Sequence, residues 1–232
     1  MCNSPGHVRV NYTQAIPATA CVCKTPAPGA ANFTQRAWDA LRVHLADAVS
    51  WYQENPLVSL RLIEQSASPP ASILDVGGGA SYLADRLLPR GYRIGVLDIS
   101  GEALRIVRER LGAAAAPVEW FVAAVTTFRS PHTWDVWHDR AVFDFLVEES
   151  ARRGYCDALD LATAPESTVI VATFGPEGPE RCSGLPITRY SPELLAAELG
   201  PRYELHNVEW ELHRTPAGAT QQFVYCRFRR LV

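Results

Sequence analysis

The apolar run Ser72-Ile73-Leu74-Asp75-Val76 empties into three consecutive glycines, Gly77, Gly78 and Gly79, and a helical pattern follows over residues 80–88. Glycine is required where a backbone turns through positive φ or passes close to a ligand. The stretch therefore reads as a buried strand, a bare turn and a helix. A second short strand over residues 93–97 closes on Asp98 and leads into a helix over 101–111. Further strands are predicted at 118–122, 134–138 and 168–174, with a helix over 155–162 before the last. Strands alternating with helices at this pitch give a parallel sheet with right-handed crossovers.

The two ends of the chain read differently. Ser191-Pro192-Glu193 opens a helix that stops near Gly200-Pro201, with Ser as N-cap and Pro at the first helical position. Residues 203–213 and 221–229 are extended, and the turn Thr215-Pro216-Ala217-Gly218 joins them. Two strands joined so closely pair antiparallel. The expected fold is α/β: a Rossmann-like three-layer sandwich around a mostly parallel seven-stranded sheet with an antiparallel C-terminal hairpin. Upstream, residues 1–30 are rich in Pro, Ala, Thr and Gly and are expected to form a flexible arm. Residues 31–70, with helical patterns at 33–50 and 57–63, are expected to form lid helices on a single domain of residues 31–232, whose core is 71–232.

Charge narrows the function. Lys+Arg 22 against Asp+Glu 25 leaves a net charge of −3, without the basic excess of a phosphate-backbone binder, so no nucleic-acid partner is expected. No apolar run approaches the ~18 residues of a membrane span. Nor do the first thirty residues hold a secretory pattern, so a cytoplasmic protein is expected. The cysteines at 2, 21, 23, 156, 182 and 226 lack a zinc-ligand spacing and are expected to remain thiols, with no metal.

Asp75, Gly77, Gly78, Gly79 and Asp98 are the sharpest candidate ligand contacts. A dinucleotide fingerprint needs a third glycine where Tyr82 stands, and a carboxylate at Asp75 opposes phosphate, so a nicotinamide oxidoreductase is disfavoured. Asp75 suits a cationic amine instead. Asp98, 23 residues further on, suits an unphosphorylated ribose diol.

The block from Ile73 to Asp98 resembles motifs I and II of the class I S-adenosylmethionine-dependent methyltransferases. Trp134-Asp135-Val136-Trp137-His138-Asp139-Arg140-Ala141-Val142-Phe143 resembles their motif IV, and the similarity continues to the terminal hairpin. The resemblance implies S-adenosyl-L-methionine as cofactor. It places the methionine part on Asp75 and the glycine turn, the ribose on Asp98, the adenine beside Ile99, and the sulfonium near His138. Ala124 and Val125 stand where many members bind the adenine amino group through a carboxylate. Ala124 cannot do so, which costs about 1 kcal/mol. Ala164-Pro165-Glu166-Ser167 replaces the usual Pro-Gly-Gly turn.

The implied activity is methyl transfer to an N, S or O atom of a small-molecule acceptor. The alternatives are a protein lysine methyltransferase and a cofactor-binding module without catalysis. Asp139 and His138 are candidate general bases, and Asp144 is a further carboxylate of the same kind. Asp139-Arg140 resembles the pairs found here in lysine-directed and thiopurine-type members, although both residues could equally anchor the loop. Trp51, Tyr52, Arg140 and Phe143 are the candidate acceptor contacts. His213 could face the acceptor mouth, but a lone strand histidine is more often structural.

Overall fold

The computed structural model describes residues 50–79 and 81–232. The expected arm (1–30) and most of the first lid helix (33–50) lie outside the described residues. The α-helices are α1 (Leu57–Ser66), α2 (Leu83–Leu87), α3 (Gly101–Leu111), α4 (Glu149–Ala162) and α5 (Pro192–Leu199). The strands are β1 (Ser72–Val76), β2 (Arg93–Asp98), β3 (Glu119–Val122), β4 (Val136–Arg140), β5 (Thr168–Phe174), the short pair β6 (Arg181–Cys182) and β7 (Leu185–Pro186), then β8 (Tyr203–Arg214) and β9 (Thr220–Arg230).

Seven strands form one sheet in the order β3-β2-β1-β4-β5-β9-β8. The first five are parallel, while β9 runs antiparallel to both β5 and β8. This is the expected architecture. Its order reverses between β1 and β4, the switch point where open α/β sheets leave a crevice at the strands' carboxyl ends.

Two cores sandwich the sheet. On one face, Leu60, Leu62 and Ile63 of α1, Leu83 and Leu87 of α2 and Leu104 of α3 pack on Ile73, Ile94, Val136, Ile170 and Phe223. On the other, Tyr155, Leu159 and Ala162 of α4 and Leu195 and Leu199 of α5 pack on Leu74, Trp137, Val169 and Val171. Because strand side chains alternate between faces, each central strand feeds both cores.

Several elements differ from expectation for local reasons. Strand β4 spans 136–140 rather than 134–138. Trp134 is taken up at the end of α4, its amide donating to Ala162 O at 2.8 Å and its indole to Ser130 Oγ at 2.9 Å. Asp135 is spent on β1, accepting from Ser72 N at 2.7 Å and Ser72 Oγ at 2.8 Å. Helix α1 runs on to Ser66, whose hydroxyl bonds back to Leu62 O. Helix α4 starts at 149, six residues before the predicted start at 155. Among the described residues, no helix is long and apolar enough to cross a membrane.

Candidate active site

Strand periodicity sorts the motif IV side chains. His138 and Arg140 lie on the α1 face of β4 with Val136, whereas Trp137 and Asp139 face α4. In the parallel pairing of β1 with β4, Asp75 lies opposite His138. Their side chains meet in a buried hydrogen bond of 2.8 Å between His138 Nδ1 and Asp75 Oδ1.

The glycine turn folds over the end of β2, with Gly77 N and Gly78 N both donating to Leu97 O. Gly77 takes φ +68°, the left-handed region. Gly78 is needed for space: a Cβ there would come within 2.6 Å of Val96 Cγ1 and 2.7 Å of Asp75 Oδ2. The turn is thus closed against the carboxylate that holds His138.

A cleft with about 660 Å³ of empty space opens beside this turn. Trp51, Tyr52 and Gln53 wall it on one side; Asp75, Gly77, Gly78 and Ser81 form the floor, and His138, Arg140 and Ser59 complete it. Residues 50–56, ahead of α1, are strapped across the sheet. Arg140 Nη1 donates to Trp51 O at 2.6 Å, and Gln53 Nε2 donates to Glu211 Oε1 at 2.6 Å. His213 Nε2 donates to Ser50 O at 2.8 Å, which leaves its Nδ1 to accept from Gln53 Nε2 at 3.4 Å. Burial, helped by the Arg140 charge, pushes the His213 pKa down, in keeping with this neutral form. Behind the strap, Arg140 Nε donates to Tyr225 Oη, Tyr225 Oη donates to Glu211, and the guanidinium lies 4.5 Å from the Phe223 ring centre.

Among the described residues, four buried polar atoms on these walls have no hydrogen-bond partner: Gln53 Oε1, Ser59 Oγ, His138 Nε2 and Arg140 Nη2. Arg140 Nη2 has only the Glu211 carboxylate at 3.7 Å. Buried polar groups are ordinarily satisfied, and an orphan costs about 1–3 kcal/mol. A cluster of four marks a place built for a polar ligand.

Of the expected site residues, the cleft brings together Trp51, Tyr52, Asp75, Gly77, Gly78, His138 and Arg140. Gly79 lies buried just beyond it, at φ +38°. Asp98, Ile99, Ala124 and Val125 do not line this cleft; they stand at and after the ends of β2 and β3. Asp98 Oδ1 accepts from Ser100 N at 2.8 Å, which fixes the carboxylate at the strand end. Ile99 and Ala124 are half-buried, and Val125 packs into the α4-side core.

Two expectations need correction. Asp139 does not reach the cleft. It is fully buried on the opposite face, accepting from Val142 N, Phe143 N and Tyr155 Oη at 3.0, 3.2 and 2.9 Å. Burial pushes its carboxyl well above the usual range despite those bonds. Its carboxylate anchors the loop after β4. Phe143 packs on Tyr155 and Tyr190 inside the core and does not line the cleft. Asp75 lies on the cleft floor, with Oδ1 held by His138 Nδ1. Gln53 and Ser59 were not singled out from sequence. Only the docking of α1 and its strap on β4 brings them to the cleft, and no local pattern announces that.

A family model described as a methyltransferase domain matches residues 73–165. The structure is similar to N-methyltransferase NodS from Bradyrhizobium japonicum in complex with S-adenosyl-L-homocysteine, with TM-score 0.66 and 17% identity over 83% of this chain and 97% of that one. It is also similar to the Burkholderia thailandensis 1,6-didemethyltoxoflavin-N1-methyltransferase, at TM-score 0.64 and 18% identity over 90% and 94% of the two chains. A methyltransferase from Anabaena variabilis gives TM-score 0.67 and 14% identity over 84% and 94%. No curated protein matches the sequence. Over residues 73–165 the chain is thus similar to methyltransferase domains, and its fold is the Rossmann-like one that these solved structures share.

Proposed function

We propose that this chain transfers the methyl group of S-adenosylmethionine to an N, S or O atom of a small-molecule acceptor. The observation that carries the reading is the cluster of four orphaned polar atoms beside the glycine turn. One is a cationic donor, Arg140 Nη2, and the others include the acceptors Gln53 Oε1 and His138 Nε2. A cation facing neutral acceptors complements the carboxylate and ammonium of an amino-acid head group. Asp98 at the end of β2 suits the ribose, and half-buried Ile99 suits the flat face of the adenine. The residues therefore fit the cofactor.

S-adenosylmethionine supplies a methyl group already activated on a sulfonium. The chain's own residues then have to bind, align and exclude water, because in-line displacement gains most from positioning. Trp51 and Tyr52 roof the cleft, Trp51 edge-on to Phe145 at 6.0 Å and Tyr52 edge-on to Tyr82 at 6.1 Å. An aromatic mouth of this kind favours a compact acceptor over a protein side chain on a folded surface. NodS and the toxoflavin enzyme support the reading as methyltransferases of this fold.

Calorimetry with S-adenosylhomocysteine on wild type and Asp98→Asn tests the cofactor. Binding that weakens by about tenfold or more in the variant is expected. Absence of binding to folded wild type refutes the proposal. Labelled-methyl transfer to amine, thiol and hydroxyl libraries then tests the acceptor. Label entering protein in a cell lysate, with none in the libraries, moves the acceptor to the protein class.

A further inference from the structure

We propose that the Asp75–His138 pair is a proton-controlled grip on the cofactor's α-ammonium: His138 takes that group on Nε2 and lets it go when the imidazole is protonated. The inference rests on the cofactor reading above and goes beyond it, by naming the contact and its control.

The tautomer follows from the partner. An ionised carboxylate only accepts hydrogen bonds, so the 2.8 Å contact with Asp75 Oδ1 puts the proton of neutral His138 on Nδ1. Nε2 is then a bare lone pair, buried, without a partner, and on the cleft wall. Only a glycine leaves room for this arrangement, since a Cβ on Gly78 would come within 2.7 Å of the other oxygen of Asp75. The buried carboxylate lies behind the imidazole and makes Nε2 the negative end of the pair. Protonation of Nε2 turns the same atom into a donor with a positive charge, facing a cation.

The surrounding groups allow this assignment. On β4, Arg140 is the cation of the cleft and suits the cofactor's carboxylate. Gln53 and Tyr52 of the strap, Ser59 of α1 and Ser81 of the glycine turn face the same space. Glu211 and Tyr225 stand behind Arg140 and are bonded to each other at 2.8 Å. Asp144 acts on Arg140 electrostatically but does not line the cleft. His213 is the other imidazole nearby, and it acts through the strap. A pH effect through His213 therefore acts alike on ligands with and without an ammonium, whereas one through His138 changes the difference between them.

The test is calorimetric, on the full chain. S-adenosylhomocysteine is compared with its analogue lacking the α-amino group, at about pH 7.5 and about pH 5.5. The expected result is an advantage of about tenfold or more for the amine at the higher pH, falling below about threefold at the lower. His138→Gln, whose amide still donates to Asp75, removes the pH dependence of the advantage. The proposal is overturned if the amine's advantage is equal at both pH values, or if its pH dependence survives in His138→Gln. Loss of both ligands at the higher pH refutes the cofactor reading itself, a separate outcome.

Discussion

Asp144 provides the sharpest quantitative test of the packing. It sits in the short turn Phe143–Phe145 after β4, fully buried, with neither carboxylate oxygen in a hydrogen bond of normal geometry. Burial pushes its pKa up to about 7, against the smaller opposing effects of its own amide, the Phe174 amide and the Arg140 charge. In the unfolded chain an aspartate titrates near 3.9, so the difference is about 3 units, or about 4 kcal/mol as an upper bound. The sign follows from proton binding. The folded state holds the proton more tightly, so the contribution is complete below about pH 4, declines as pH rises and is gone above about pH 7.

Asp144→Asn keeps the shape and cannot ionise. Urea denaturation of wild type and variant at about pH 5 and about pH 8 measures the effect. A new amide in the turn adds a pH-independent cost, so the double difference is the quantity to read. The variant should gain about 2–4 kcal/mol on wild type between the two pH values, because wild type alone loses stability there. Asp139, whose carboxyl is also pushed up, shifts both proteins in the same sense and largely cancels. A double difference below about 0.5 kcal/mol refutes the reasoning, since Asp144 must then be solvated or paired in the folded state.

Two further outcomes follow from the same geometry. Gly78→Ala forces a Cβ against Val96 and the Asp75 carboxylate, so it should destabilise by about 1–3 kcal/mol and weaken S-adenosylhomocysteine in calorimetry. Tyr155→Phe removes the hydroxyl that accepts from Trp137 Nε1 at 2.8 Å and donates to Asp139 at 2.9 Å. It should cost about 1–3 kcal/mol in denaturation while leaving S-adenosylhomocysteine affinity within about twofold, as expected of a buried anchor.

Much of the sheet was legible because its signals are local. An apolar run entering glycines, an acid closing the next strand and a Pro-Gly turn between two extended segments each act within a few residues. The start of β4 was not legible, because Trp134 and Asp135 continue the apolar pattern yet are claimed by Ala162 and Ser72, far away in sequence. That two-residue shift brought Asp139 and Arg140 into the strand, where the period of two separates them onto opposite faces. Asp139-Arg140 therefore reads as one catalytic pair along the chain but as two unrelated residues in space: an anchor under α4 and a cation in the cleft. The same alternation joins residues that the sequence keeps 63 positions apart, since Asp75 and His138 become partners only through the parallel pairing of β1 with β4. Chemistry in a parallel sheet is assembled across strands. A motif read along one strand locates the site but assigns its side chains to a face only when the strand's first residue is known.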